Sequence, residues 1–187
     1  IETEELVDHA LEFLKNKEHA RFREATDLLH SRAIGLALIK QLNKLHYLEK
    51  ILDFYLTEQS AEALALEKSN YRQLLSKLVN RDNLRVSFLL SNLLEAIKNN
   101  LQFDLVLANL PYIPSLEIKN LSTSVKDFEP ILALDGGKMG FTLINQSLNQ
   151  LLKKNLLAKD AVLIFETHCT HNHQFIKKNY PALFERF

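Results

Sequence analysis

Apolar runs of strand length alternate along this chain with longer stretches whose apolar residues recur at helical spacing. The plainest run is Phe103-Asp104-Leu105-Val106-Leu107-Ala108, nearly continuous and ended by Asn109-Leu110-Pro111-Tyr112-Ile113-Pro114. A run without polar alternation is how a strand buried on both faces reads. Before it, Leu6, Val7, Ala10, Leu11 and Leu14 share one helical face over residues 3 to 17, with Thr3 as the expected N-cap and acids in the first turn. Residues 20 to 29 give a weak strand ending at Thr26-Asp27-Leu28-Leu29, and Ala33 to Ile39 with Leu42 an apolar helix in which Gly35 eases packing. Lys50 to Thr57 reads as a second strand, followed by Glu58 and a helix from about Ala61 to Leu78 capped by Ser60. Arg85 to Leu90 is a third strand and the run 103 to 108 a fourth, with a short helical or loop piece between them. A long loop covers about 113 to 137, a helix about 140 to 154, a fifth strand Ala161 to Glu166, and a short helix Asn172 to Asn179.

Strands alternating with helices predict a doubly wound α/β fold: a mostly parallel sheet with helices on both faces, of the Rossmann-like class. No repeat, low-complexity segment or Gly/Pro/Ser-rich linker divides the chain, so residues 1–187 are expected to form a single domain. Ligands of such sheets bind at the carboxyl ends of the strands. Asn109 stands at one of those ends, in a loop stiffened by Pro111 and Pro114.

Composition narrows the classes. With 187 residues, 47% hydrophobic, the chain can bury a sizeable core. Its 23 Lys plus Arg balance 23 Asp plus Glu, so no global charge draws it to nucleic acid or an anionic membrane. The single cysteine, Cys169, excludes an intramolecular disulfide framework and suits a reducing compartment. No apolar run reaches the roughly 18 residues of a spanning helix, and Ile1-Glu2-Thr3-Glu4-Glu5 is no signal peptide. A cytoplasmic chain trimmed of its natural start is expected.

Three blocks carry a resemblance. Glu2-Thr3-Glu4-Glu5-Leu6-Val7, Asn109-Leu110-Pro111-Tyr112, and Asp127-Phe128-Glu129-Pro130 continuing through Ala133-Leu134-Asp135-Gly136-Gly137 to Gly140 are similar, in order and spacing, to blocks of one family. The chain resembles the class I S-adenosylmethionine-dependent methyltransferases, and within them the HemK/PrmC-like N5-glutamine methyltransferases that modify peptide chain release factors. The resemblance covers nearly the whole chain. The helical N-terminal domain and the terminal β-hairpin of that family are expected to be missing here.

What the resemblance implies is a methyl transfer to a glutamine side-chain amide of a release factor, with S-adenosylmethionine as donor, without direct contact to nucleic acid or membrane, and with oligomeric state left open. Asn109 and the carbonyl of Leu110 would accept the two amide N–H bonds, Pro111 would stiffen the loop, and the Tyr112 ring would wall the slot. Leu110 stands where the family has proline, which keeps the carbonyl but releases one fixed φ. Asp27 and Leu29 of the first turn, Glu58 at the ribose, Asn92 at the adenine amino group and Asn109 are the implied cofactor contacts. Asp53 is a rival to Glu58. The first turn departs from the family: Asp27-Leu28-Leu29-His30-Ser31-Arg32 has none of the glycines that let the donor's amino-acid arm approach the backbone. That departure leaves a second reading open, a catalytically inactive binding or assembly module on the same fold.

Other candidates are weaker. His168-Cys169-Thr170-His171-Asn172-His173 matches no zinc-ligand spacing and reads as a solvated loop, so no metal is expected. Glu166 ends the fifth strand. Lys153, Lys154, Lys177 and Lys178 read as exposed helix faces.

Overall fold

The computed structural model describes residues 2–15, 19–25, 34–79, 81–121 and 131–184. In chain order the elements are α1 (Glu2–Lys15), β1 (His19–Ala25), α2 (Ile34–Lys44), β2 (Ile51–Glu58), α3 (Ala61–Leu75), β3 (Leu84–Leu90), β4 (Phe103–Ala108), α4 (Thr142–Lys153), β5 (Leu157–Phe165) and α5 (His173–Asn179). The strands form one parallel sheet in the order β3-β2-β1-β4-β5. The chain therefore winds outward from β1 to β3, then returns to place β4 on the other side of β1. Winding reverses between β1 and β4, and the carboxyl ends of those strands flank the crevice where ligands of open α/β sheets bind.

Two apolar clusters sandwich the sheet. On one face α1, α2 and the end of α3 cover Leu52, Phe54, Leu56, Leu105 and Leu107. On the other, α4, the turn after β3 and the C-terminal turn cover Val106, Ala108, Leu157 and Ala161. β4 feeds both clusters, which explains its unbroken apolar run: Leu105 to Ala108 are each 0% exposed. In α1 the predicted stripe, Leu6, Val7, Ala10, Leu11 and Leu14, is the buried face. Tyr55 meets Phe103 edge-on at 5.4 Å across the second cluster.

The elements agree with the hydrophobic pattern in kind and differ at their ends. Ser60 does cap α3, its Oγ accepting from Ala63 N–H at 3.2 Å, but the helix stops at Leu75 rather than Leu78. Thr3 is no N-cap, because α1 already begins at Glu2 and takes Thr3 into its first turn. β5 starts four residues before Ala161, at Leu157, because its register on β4 shifts between Phe103 and Leu105; nearby Asp160 takes a left-handed φ of 59°. Lys177 and Lys178 are exposed as expected. Lys154 is not: its Nζ donates to the carbonyls of Leu94 and Glu95 at 2.9 and 2.8 Å, tying α4 to the turn after β3.

Leu107→Ala is expected to cost about 2–5 kcal/mol, since it opens a cavity where the chain is most completely buried. Leu116→Ala, at a side chain 72% exposed, should stay within about 0.5 kcal/mol of wild type. Urea denaturation of the two variants checks both, and equal losses would contradict the double-faced burial of β4.

Candidate functional site

Strand register brings the candidates level. Leu89, Thr57, Ala25, Ala108 and Phe165 lie in one row across the sheet. One step beyond that row stand Glu58, Asn109 and Glu166, from three strands far apart in sequence. Asn109 and Glu58 flank the winding reversal from either side of β1. Asp27 and Leu29, expected on the turn after β1, lie outside the described residues, as do Leu28 and His30 to Arg32.

The loop after β4 is clamped by the segment 131–140. Ile113 N–H donates to the Leu134 carbonyl at 3.0 Å, and Gly136 N–H returns to the Ile113 carbonyl at 2.9 Å. Asp135 Oδ1 accepts from Ser115 Oγ at 2.7 Å and from Gly137 N–H at 2.8 Å. Two glycines permit the approach. A Cβ on Gly136 would lie 2.6 Å from the Pro111 carbonyl oxygen, and one on Gly140, whose φ is +69°, would lie 2.0 Å from that of Tyr112. The two similar blocks of sequence thus form one structural unit, although Asp127 to Pro130 lie outside the described residues.

Within the loop, Leu110 is 1% exposed and anchored in the second cluster, while Asn109 is half-buried. Pro111 is buried and Tyr112 half-buried, its hydroxyl donating to Glu166 Oε1 at 2.6 Å. Tyr112 and Glu166 line a cleft of about 460 Å³ against Glu5, Leu6 and His9 of α1. An Asn side chain on such a fixed loop can orient a primary amide by accepting from it.

Glu58 is buried, 4% exposed, with its Oε1 accepting from Ser60 N–H at 2.8 Å. Burial raises its pKa, against the pull of the Ser60 and Gln59 backbone N–H groups. A carboxyl group at the end of the second strand is suited to a vicinal diol, which supplies the donors a buried carboxylate needs. Asp53, the rival, sits in mid-strand and pairs with Arg85 Nη1 at 3.6 Å, away from the carboxyl ends.

Asn92 is exposed and donates to Glu95 Oε1 at 2.9 Å. Its turn is held from α4, where Gln150 Oε1 accepts from Leu94 N–H at 2.7 Å. Leu93 accordingly bears a left-handed φ of 50°, a strained value for leucine that the surrounding contacts maintain.

The histidine segment is in part the expected solvated loop, with Cys169, Thr170, Asn172 and His173 exposed, and departs from it at His171. His168 and Cys169 belong to the cleft, with His168 Nε2 3.4 Å from Glu117 Oε2. His171 is 5% exposed, its ring between Phe141 and Phe175 at 4.8 and 5.2 Å, and burial lowers its pKa against the Met139 carbonyl. Asn172 caps α5 by accepting from Phe175 N–H at 3.1 Å. Among the described residues no group of three His, Cys, Asp or Glu could hold a metal ion. Pattern reading missed Glu67, buried on α3, although Leu64, Glu67, Tyr71 and Leu74 fall on one helical stripe facing the sheet. Desolvation, with the neighbouring Glu58 adding to it and Lys68 opposing, pushes the Glu67 carboxyl up to about 7.

A parallel sheet wound in this order, with an Asn-x-Pro-Tyr loop at its reversal, defines a Rossmann-like domain of the class I methyltransferase type. The chain is 32% identical over 155 residues to the release factor glutamine methyltransferase of Pasteurella multocida, covering 80% of this chain and 49% of the relative. It is 31% identical to the enzyme of the same name from Bradyrhizobium diazoefficiens over 88% of this chain and 50% of the relative, and 30% identical to that of Clostridium acetobutylicum over 88% and 52%. No family model matches the chain. By sequence it is similar to the release factor glutamine methyltransferases, and it spans about half the length of the curated relatives it matches.

Gly140→Ala should cost more than the roughly 1–3 kcal/mol of a left-handed φ alone, because the new Cβ meets the Tyr112 carbonyl. A denaturation midpoint like that of wild type would contradict the clamp. For Glu67, the folded chain holds its proton up to about pH 7 while the unfolded chain releases it near 4.5, so stability falls as pH rises through that window. Glu67→Gln is expected to be more stable than wild type above pH 7, by on the order of 1–3 kcal/mol, with the gap closing at acid pH. Thermal melts across pH check the sign.

Proposed function

We propose that this chain carries out S-adenosylmethionine-dependent methylation of a glutamine side-chain amide in a peptide chain release factor, acting in the cytoplasm. The observation that carries the reading is the Asn109-Leu110-Pro111-Tyr112 loop, clamped one step past β4 where the sheet reverses its winding. The names of the relatives support the substrate. Among the described residues no helix is long and apolar enough to cross a membrane.

A primary amide nitrogen is a poor nucleophile because its lone pair is delocalised into the carbonyl. When bound, S-adenosylmethionine supplies an electrophilic sulfonium methyl group. The protein's share is then alignment and charge stabilisation. The Asn109 side-chain oxygen and the Leu110 carbonyl would accept the two amide N–H bonds, turn the nitrogen toward the methyl group and stabilise the charge that develops on it. Tyr112 would wall the slot and Pro111 would keep the backbone from turning away. Glu58 would accept from the ribose hydroxyls and Asn92 from the adenine amino group, while Asp27 and Leu29 would serve the donor's amino-acid arm.

One observation favours a second reading. The turn Leu29-His30-Ser31-Arg32 has no glycine, and a chain whose turn excludes the donor would keep the fold only as a binding or assembly module. Calorimetry with the demethylated product separates the two. The methyltransferase reading expects saturable binding, and expects Asn109→Ala to abolish transfer while changing cofactor affinity less than about threefold, since Asn109 acts mainly on the amide. No binding at millimolar ligand by a folded sample would leave the module.

A further inference from the structure

We propose that Glu166 is a positioning residue that holds both ends of the Asn109-to-Tyr112 loop at once; its bearing on catalysis rests on the function proposed above. Glu166 continues the β4–β5 ladder one step past β5. Its backbone N–H donates to the Ala108 carbonyl at 3.0 Å, immediately before Asn109. Its Oε1 accepts from the Tyr112 hydroxyl at 2.6 Å, at the last residue of the tetrapeptide. One residue, 54 positions downstream of Tyr112, thus brackets Asn109, Leu110 and Pro111.

The bracket matters because Leu110 leaves φ unfixed at the position between Asn109 and Pro111. The buried Leu110 side chain anchors the middle of the loop, and Glu166 supplies the two ends. A carboxylate acceptor makes a stronger bond than a neutral one, and partial burial shields it from competing water. Asn109 is itself only half-buried, so the direction of its side chain depends on the backbone that carries it. Tyr112 and Glu166 also share a wall of the cleft beside α1, which places their bond where an acceptor chain lying in that cleft would pass.

Three single variants and one double variant test this. Tyr112→Phe removes the donor, Glu166→Ala removes the acceptor, and Glu166→Gln keeps an acceptor oxygen. Hydrogen exchange over residues 108–115 should quicken about tenfold in Y112F and E166A, the scale of one hydrogen bond, with no further gain in the double variant. E166Q, whose neutral oxygen is the weaker acceptor, should fall between wild type and E166A, and exchange over α3 should not change in any of them. With a glutamine-bearing acceptor, kcat should fall in Y112F and E166A while affinity for the demethylated cofactor holds. Unchanged exchange in both single variants, or additive effects in the double variant, would overturn the bracket. Exchange that quickens as expected in a chain whose wild type transfers no methyl group would support the bracket and overturn the reaction instead. If E166A does not fold, Y112F and E166Q carry the same comparison.

Discussion

The parallel pairing of β4 with β1 is the constraint on which the site depends. It places the reversal of winding beside Asn109 and sets Ala108 level with Ala25, so that both strands end together and open a crevice. The same register runs on to Thr57 in β2 and Phe165 in β5, which brings Glu58 and Glu166 to the same height as Asn109. Burial of β4 on both faces fixes that register, because a slip of one residue would exchange the side chains of Leu105 and Leu107 with those of Val106 and Ala108 between two differently shaped clusters.

On that base the loop is held by backbone. Gly136 and Gly140 let one chain segment lie against the carbonyls of Pro111 and Tyr112, Asp135 fastens the segment to Ser115, and Glu166 ties the far side. On the proposed function this support matters, since an acceptor displaced by an ångström would no longer aim a weakly nucleophilic amide. The buried pair Glu58 and Glu67 acts the other way: two carboxyl groups in one desolvated corner destabilise the fold when both ionise.

Much of this was legible in the residues. The unbroken run of β4 and its termination at Asn109 follow from local rules and reappear in the structure, whereas the glycines of 136–140 stood out only through the resemblance, and their approach to the loop after β4 is a finding of the structure. β1 read weakly because its residues, His-Ala-Arg-Phe-Arg-Glu-Ala, carry little β propensity; a central place between β2 and β4 gives it its conformation. The Tyr112–Glu166 bond and the reach of Lys154 and Gln150 to the turn after β3 join residues more than fifty positions apart, which no local pattern encodes. His171 looked solvated because its neighbours are polar, yet Phe141 and Phe175 arrive from other elements to cover it.

The most direct test of the proposed chemistry is to incubate the chain with saturating S-adenosylmethionine and a release factor and to locate any added methyl group by mass spectrometry. The geometry at Asn109 predicts one methyl group on the side-chain amide nitrogen of a glutamine. A release factor left unmodified by a chain whose sheet is intact by circular dichroism would contradict it.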